Sequence, residues 1–111
     1  MKYYINGKLI RTSKNTYTHA VLLDDKVVSC CGDLEKARKA LAREIAECDR
    51  YIRNYTAAVK AIDEGKSYFM ATYGRETGKE KITCSRETYA AMVKRNEDIK
   101  TRYSIRELEA R

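Results

Sequence analysis

The chain contains no proline and no tryptophan, and only one histidine and one phenylalanine. Without proline there is no rigid, proline-rich linker to mark a domain boundary, and turns fall to glycine, asparagine, aspartate and serine. No apolar run approaches the roughly 20 residues that span a bilayer, and the start MKYYINGKLIR has a turn where a signal peptide would carry its apolar stretch. A cytoplasmic protein without membrane contact is expected. Cys30, Cys31, Cys48 and Cys84 lack the CxxC spacing of zinc and redox sites, and neighbours on a strand point to opposite faces. No metal and no cofactor is therefore expected. Internal repeats, low-complexity tracts and a detached basic tail are missing as well.

What is present fits one domain of 111 residues. Hydrophobic residues at 43% can fill a core, while 35% charged residues and a mean hydropathy of -0.66 describe a solvated surface. The net charge is +7 and the sequence pI about 9.3, which favours anionic partners. The cations are not simply in excess everywhere: residues 33–64 balance seven Lys and Arg against seven Asp and Glu. Any cationic surface there has to arise from the fold separating the two signs.

Asn6-Gly7, between Tyr3-Tyr4-Ile5 and Lys8-Leu9-Ile10, is the dipeptide that best tolerates a two-residue type I′ turn and predicts a hairpin. Ser13-Lys14-Asn15 turns the chain again, and 16–23 with 26–31 predicts a second hairpin around Asp24-Asp25. Next, Leu34, Leu41, Cys48, Tyr55 and Ile62 recur every seven residues with Ile45, Ile52 and Val59 between them, the seam of a helix about 45 Å long. Asp33 is placed to cap its start and Gly65 to end it. Beyond it, 67–73 reads as a strand, Gly74 to Lys79 as a loop, 81–84 as a short partner strand, and Ser85 as the cap of a second helix whose stripe is Tyr89, Met92, Ile99 and Tyr103. The expected fold is α+β: a four-stranded antiparallel β-meander (1–32) and a later hairpin (67–84) packed against one long helix (33–64) and a C-terminal helix (85–111). A helix longer than the meander has seam to spare, which makes a homodimer through that seam one expectation.

Three constellations bear on chemistry. With a two-residue turn at Asp24-Asp25, His19 falls opposite Cys30, and a histidine beside a thiol can generate a nucleophilic thiolate. Tyr17, Val21, Leu23 and Val28 share that face and no third residue orients the imidazole, so ordinary sheet packing is the preferred reading. GRETGKE at 74–80 has the outline of a phosphate loop, but only three residues separate its glycines, and Glu80 stands where a magnesium-binding hydroxyl belongs. Asp24-Asp25 and Asp63-Glu64 sit at a turn and a helix end rather than among apolar neighbours, and Asn54-Tyr55-Thr56 matches a glycosylation pattern by chance inside the helix.

The third constellation is the side of the long helix away from its seam. Lys36, Lys39, Arg43, Arg50, Arg53 and Lys60 take heptad positions b or f, while Glu44, Glu47 and Asp49 lie at the seam's flanks. The stripe extends about 36 Å at helical rise, and cations so arranged can follow a phosphate backbone. Tyr51, at a g position beside Arg50 and Arg53, is the tyrosine best placed to join such a surface among the nine in the chain.

The opening YINGKLIRTSKNTYTHAVL, a hairpin leading through a TSKN turn into a THAVL strand, resembles small accessory proteins of bacteriophages and mobile elements, a group that includes inhibitors of bacterial defence such as anti-CRISPR proteins. The resemblance covers about the first third of the chain and supplies no functional residues. It implies binding and blocking rather than catalysis. The chain departs from inhibitors that imitate DNA with acidic surfaces, because it is basic. The expected function is thus non-catalytic binding to an acidic protein surface or a nucleoprotein complex of the host's nucleic-acid-processing defence. Direct binding of DNA or RNA is the alternative, and a small enzyme using Cys30 and His19 the third reading.

Overall fold

Asn6 and Gly7 both take positive φ, 52° and 80°, as a type I′ turn requires, and join β1 (Lys2–Ile5) to β2 (Lys8–Thr12). The computed structural model describes all 111 residues. At the second hairpin only Asp24 of the central pair has positive φ, 53°, and the turn joins β3 (His19–Leu23) to β4 (Lys26–Cys31). Asp33 then caps α1 (Leu34–Asp63), its Oδ1 accepting from the Lys36 N–H at 2.7 Å. The helix stops where Gly65, at φ 72°, donates to Ile62 O and Lys66 donates to Ala61 O, two bonds that satisfy carbonyls of the last turn. After it come β5 (Tyr68–Tyr73), β6 (Glu76–Lys81), α2 (Arg86–Ile99), β7 (Tyr103–Glu107) and β8 (Glu109–Ala110). The architecture is α+β.

The expected four-stranded meander does not form. The two N-terminal hairpins belong to separate sheets, ordered β2-β1-β8 and β4-β3-β7. The reason lies at the C-terminus, which supplies a third strand to each hairpin. Lys100 N–H and Thr101 N–H close α2 on Asn96 O and Asp98 O, and the segment after them alternates Tyr103 and Ile105 onto a core, so the helix expected to continue to 111 gives way to strand. The later hairpin is also longer and tighter than expected. Gly74-Arg75 is its whole turn, and the polar stretch from Glu76 to Lys81 is the strand β6 rather than a loop.

The chain divides into two compact units, Met1–Glu44 with Arg102–Arg111, and Ile45–Thr101. In the first, Val21 and Cys31 pack with Ala37 and Ala40, flanked by Leu41, Tyr103 and Ile105. The other face of β3 is covered too: Ala20 and Leu22 are buried, and Leu22 shares a cleft wall with Ile5 and Ile10 of the other sheet. Tyr3, fully buried, donates its hydroxyl to Asn15 O at 2.6 Å and accepts from Tyr17 N at 3.0 Å, which fastens the connection between the hairpins.

In the second unit the α1 residues that are buried are Cys48 of the expected seam together with Asn54, Ala58 and Ala61, while the bulkier seam residues Ile52, Tyr55, Val59 and Ile62 are half-buried. Asn54 uses its amide as a strand would use its backbone, donating from Nδ2 to Thr72 O at 3.0 Å and accepting Thr72 N–H at 2.8 Å. This satisfies the edge of β5 that β6 leaves open. The Asn of the Asn-Tyr-Thr pattern at 54–56 is therefore a buried packing residue within the helix. Two ion pairs tie the two ends of the α2 segment to α1: Lys100 Nζ reaches Asp49 Oδ1 at 2.8 Å and Arg86 pairs with Asp63 at 2.7 Å.

Candidate polyanion-binding surface

α1 positions all seven residues of the expected surface, and they divide by unit. In the first unit Lys36, Lys39 and Arg43 are exposed. Lys39 forms an exposed i,i+4 pair with Glu35 at 3.5 Å, whereas Lys36 and Arg43 have no ion pair. In the second unit Arg53 and Lys60 are exposed and likewise without an ion pair. Four of the six expected cations thus form no ion pair within the chain.

Arg50 departs from that expectation. Its side chain is 16% exposed and turns onto the hairpin: Nη1 donates to Thr72 O at 3.0 Å, Nε donates to Glu47 Oε2 at 3.2 Å, and Nη2 pairs with Glu47 Oε1. The guanidinium carbon also stands 4.5 Å from the Tyr51 ring centroid and 5.9 Å from that of Tyr73. The hydrogen bond from Arg50 holds the Glu47 carboxyl below its ordinary pKa and raises that of Arg50 in turn. Arg50 is a clamp between α1 and β5. The hairpin packs on the helix face where Arg50 sits, and the heptad count placed that face outward.

Tyr51 is 37% exposed and belongs to a chain of rings. It stacks on Tyr55 at 5.9 Å and 10°, Tyr55 lies 6.0 Å from Tyr89, and Tyr89 meets Phe69 edge-on at 5.9 Å. Tyr51 and Tyr55 form one wall of an open cleft of about 320 Å³ whose other wall is Met92, Arg95, Asn96 and Ile99 of α2. Arg95, exposed at this cleft, was not singled out by the sequence; its place on the stripe of α2 shows only once α2 is packed beside α1.

The His19–Cys30 pairing is corrected by the register. Leu22 faces Val27, but a bulge shifts the ladder so that Val21 faces Ser29, Ala20 faces Cys30 and His19 faces Cys31. His19 and Cys30 therefore occupy opposite faces of the sheet. Cys31, the residue across from His19, is buried among Val21, Ala37 and Ala40, and His19 Nδ1 is hydrogen-bonded to Thr18 Oγ1 at 2.7 Å. The GRETGKE glycines occupy a turn and a strand, and Glu80 accepts from the Tyr73 hydroxyl.

No helix is long and apolar enough to cross a membrane. No protein-family model, curated protein or solved structure matches the chain.

Proposed function

We propose that this chain is a non-catalytic binding protein that engages a nucleic-acid-processing complex through the exposed cations of α1, acting as a phage-type inhibitor in the cytoplasm of a bacterial host. The observation that carries the reading is that Lys36, Arg43, Arg53 and Lys60 are exposed and unpaired on a helix whose formal charge sums to zero over 33–64. Acids of the same helix are occupied elsewhere: Glu47 by Arg50, Asp49 by Lys100 and Asp63 by Arg86. Glu44 accepts from the Tyr103 hydroxyl at 3.3 Å. Fold-directed pairing of carboxylates leaves cations facing solvent, where each phosphate neutralised releases counterions.

The test is a cleavage assay with a panel of purified RNA-guided and restriction nucleases, titrated with the full chain. Inhibition of at least one nuclease at near-equal stoichiometry is expected, lost when Lys36, Arg43, Arg53 and Lys60 all become Gln. Unchanged cleavage across the panel, or inhibition equal in the variant, contradicts the proposal.

A further inference from the structure

The strand register divides the side chains of the β5–β6 hairpin into two sets. Phe69, Ala71 and Tyr73 stand opposite Glu80, Gly78 and Glu76; Tyr68, Met70 and Thr72 stand opposite Lys81, Lys79 and Thr77. The first set is the packed face: Ala71 is 2% exposed, Phe69 meets Tyr89, and Tyr73 lies against Arg50. The second set faces solvent, with Tyr68 at 45% and Met70 at 56% exposure and Thr77, Lys79 and Lys81 exposed beside them. Both carboxylates of β6 fall on the packed face and both of its lysines on the open one. The open face therefore carries only positive charge, beside a tyrosine ring and a thioether.

We infer that this face binds single-stranded nucleic acid, with Tyr68 and Met70 as a platform for bases and Lys79 and Lys81 as contacts to the backbone. The inference rests on the binding function proposed above and adds to it a second surface, one that names the ligand. Lys79 and Lys81 are two residues apart, about 6.7 Å at strand rise, a spacing comparable to that of successive phosphates on an extended strand. The Lys79 ammonium lies 4.9 Å from the Tyr68 ring centroid, so ring and charge already act together. A duplex hides its base faces and would leave ring and thioether exposed. An acidic peptide would satisfy the lysines but offer no flat surface to stack. An unpaired strand supplies both partners at once.

The experiment is fluorescence anisotropy of the full chain with labelled 12-nucleotide oligo(dT) and oligo(U) and with a 12-base-pair duplex, across a salt series. Tyr68→Ala is expected to weaken single-strand binding about 5- to 100-fold while leaving the salt slope unchanged, and Tyr68→Phe to retain it. Lys79→Gln with Lys81→Gln is expected to reduce the slope of log K against log salt by about 1.4. Because these side chains are exposed, circular dichroism of the variants should match the unmodified chain. The inference is overturned by hairpin variants within twofold of the unmodified protein, by no single-strand binding at low salt, or by poly-glutamate competing as well as oligonucleotide. Hairpin variants that are silent while Arg43→Gln with Arg53→Gln abolishes binding would overturn this inference and leave the function proposed for α1 standing. Loss of nuclease inhibition from neither set of variants would instead count against that function alone.

Discussion

Arg50 and Arg53 are three residues apart on one helix and do opposite work. Arg50 joins helix to hairpin through a backbone carbonyl, a carboxylate and two rings, so Arg50→Ala should lower stability by about 1–3 kcal/mol in urea unfolding. Arg53 touches no ionic partner, and Arg53→Ala should change stability by less than about 0.5 kcal/mol while weakening partner binding. Asn54→Ala leaves the Thr72 N–H without its partner and takes one of two donors from Thr72 O, which keeps its bond from Arg50, and a destabilisation of about 1–3 kcal/mol is expected. A melting temperature for Asn54→Ala equal to that of the unmodified chain would contradict this account of the hairpin edge. Titration supplies a separate check. Glu47, Asp63 and Glu64 are held below their ordinary pKa by hydrogen bonds from Arg50, Arg86 and Lys66. A carboxylate with a depressed folded-state pKa contributes stability above its unfolded pKa and loses it as pH falls through the folded one. Thermal stability should accordingly decline from about pH 5 to pH 3, and less steeply in Glu47→Gln.

At the scale of elements, the caps of α1 are the sharpest link from sequence to structure. Gly65→Ala, forcing a side chain to φ 72°, should destabilise by about 1 kcal/mol or more, and Asp33→Ala by about 1 kcal/mol, both measurable by chemical unfolding. These caps, the Asn6-Gly7 turn and the extent of α1 were legible because each rests on local chemistry: a positive φ, a free N–H, a seven-residue repeat. What was not legible depended on non-local pairing. Tyr103 continues the helical stripe of α2 as readily as it starts a strand, and only the open edge of β3 decides between them. Bulges at Val21/Leu22 and at Tyr3/Tyr4 shift their ladders by one residue, which no turn rule anticipates, and one such shift separated His19 from Cys30. Of the seam residues counted from the repeat, Cys48 is buried while Ile45, Ile52, Tyr55, Val59 and Ile62 are only half-buried, and Ala37, Ala40, Ala58 and Ala61, outside that count, are buried. That is why the heptad count put Arg50 on open surface, while Lys36, Arg43, Arg53 and Lys60 emerge exposed as expected.

For the whole molecule, the last ten residues complete the first unit by adding a strand to each of its sheets. A chain ending at Thr101 would leave β3 and β1 each without one partner, and Ile105 would no longer cover the core at Val21. Such a truncation should lose protease resistance over 1–44 first, by limited proteolysis with mass spectrometry; equal resistance would contradict the role given to β7 and β8. The function proposed here depends on charge that folding sorts rather than on charge in excess. It is tested most directly by the salt dependence of binding between the full chain and a nuclease complex it inhibits. The unmodified chain should lose affinity steeply as salt rises, and replacing Lys36, Arg43, Arg53 and Lys60 with Gln should reduce the slope of log K against log salt by about 3. Equal affinity and equal slope in the two proteins would show that these cations do not meet the partner.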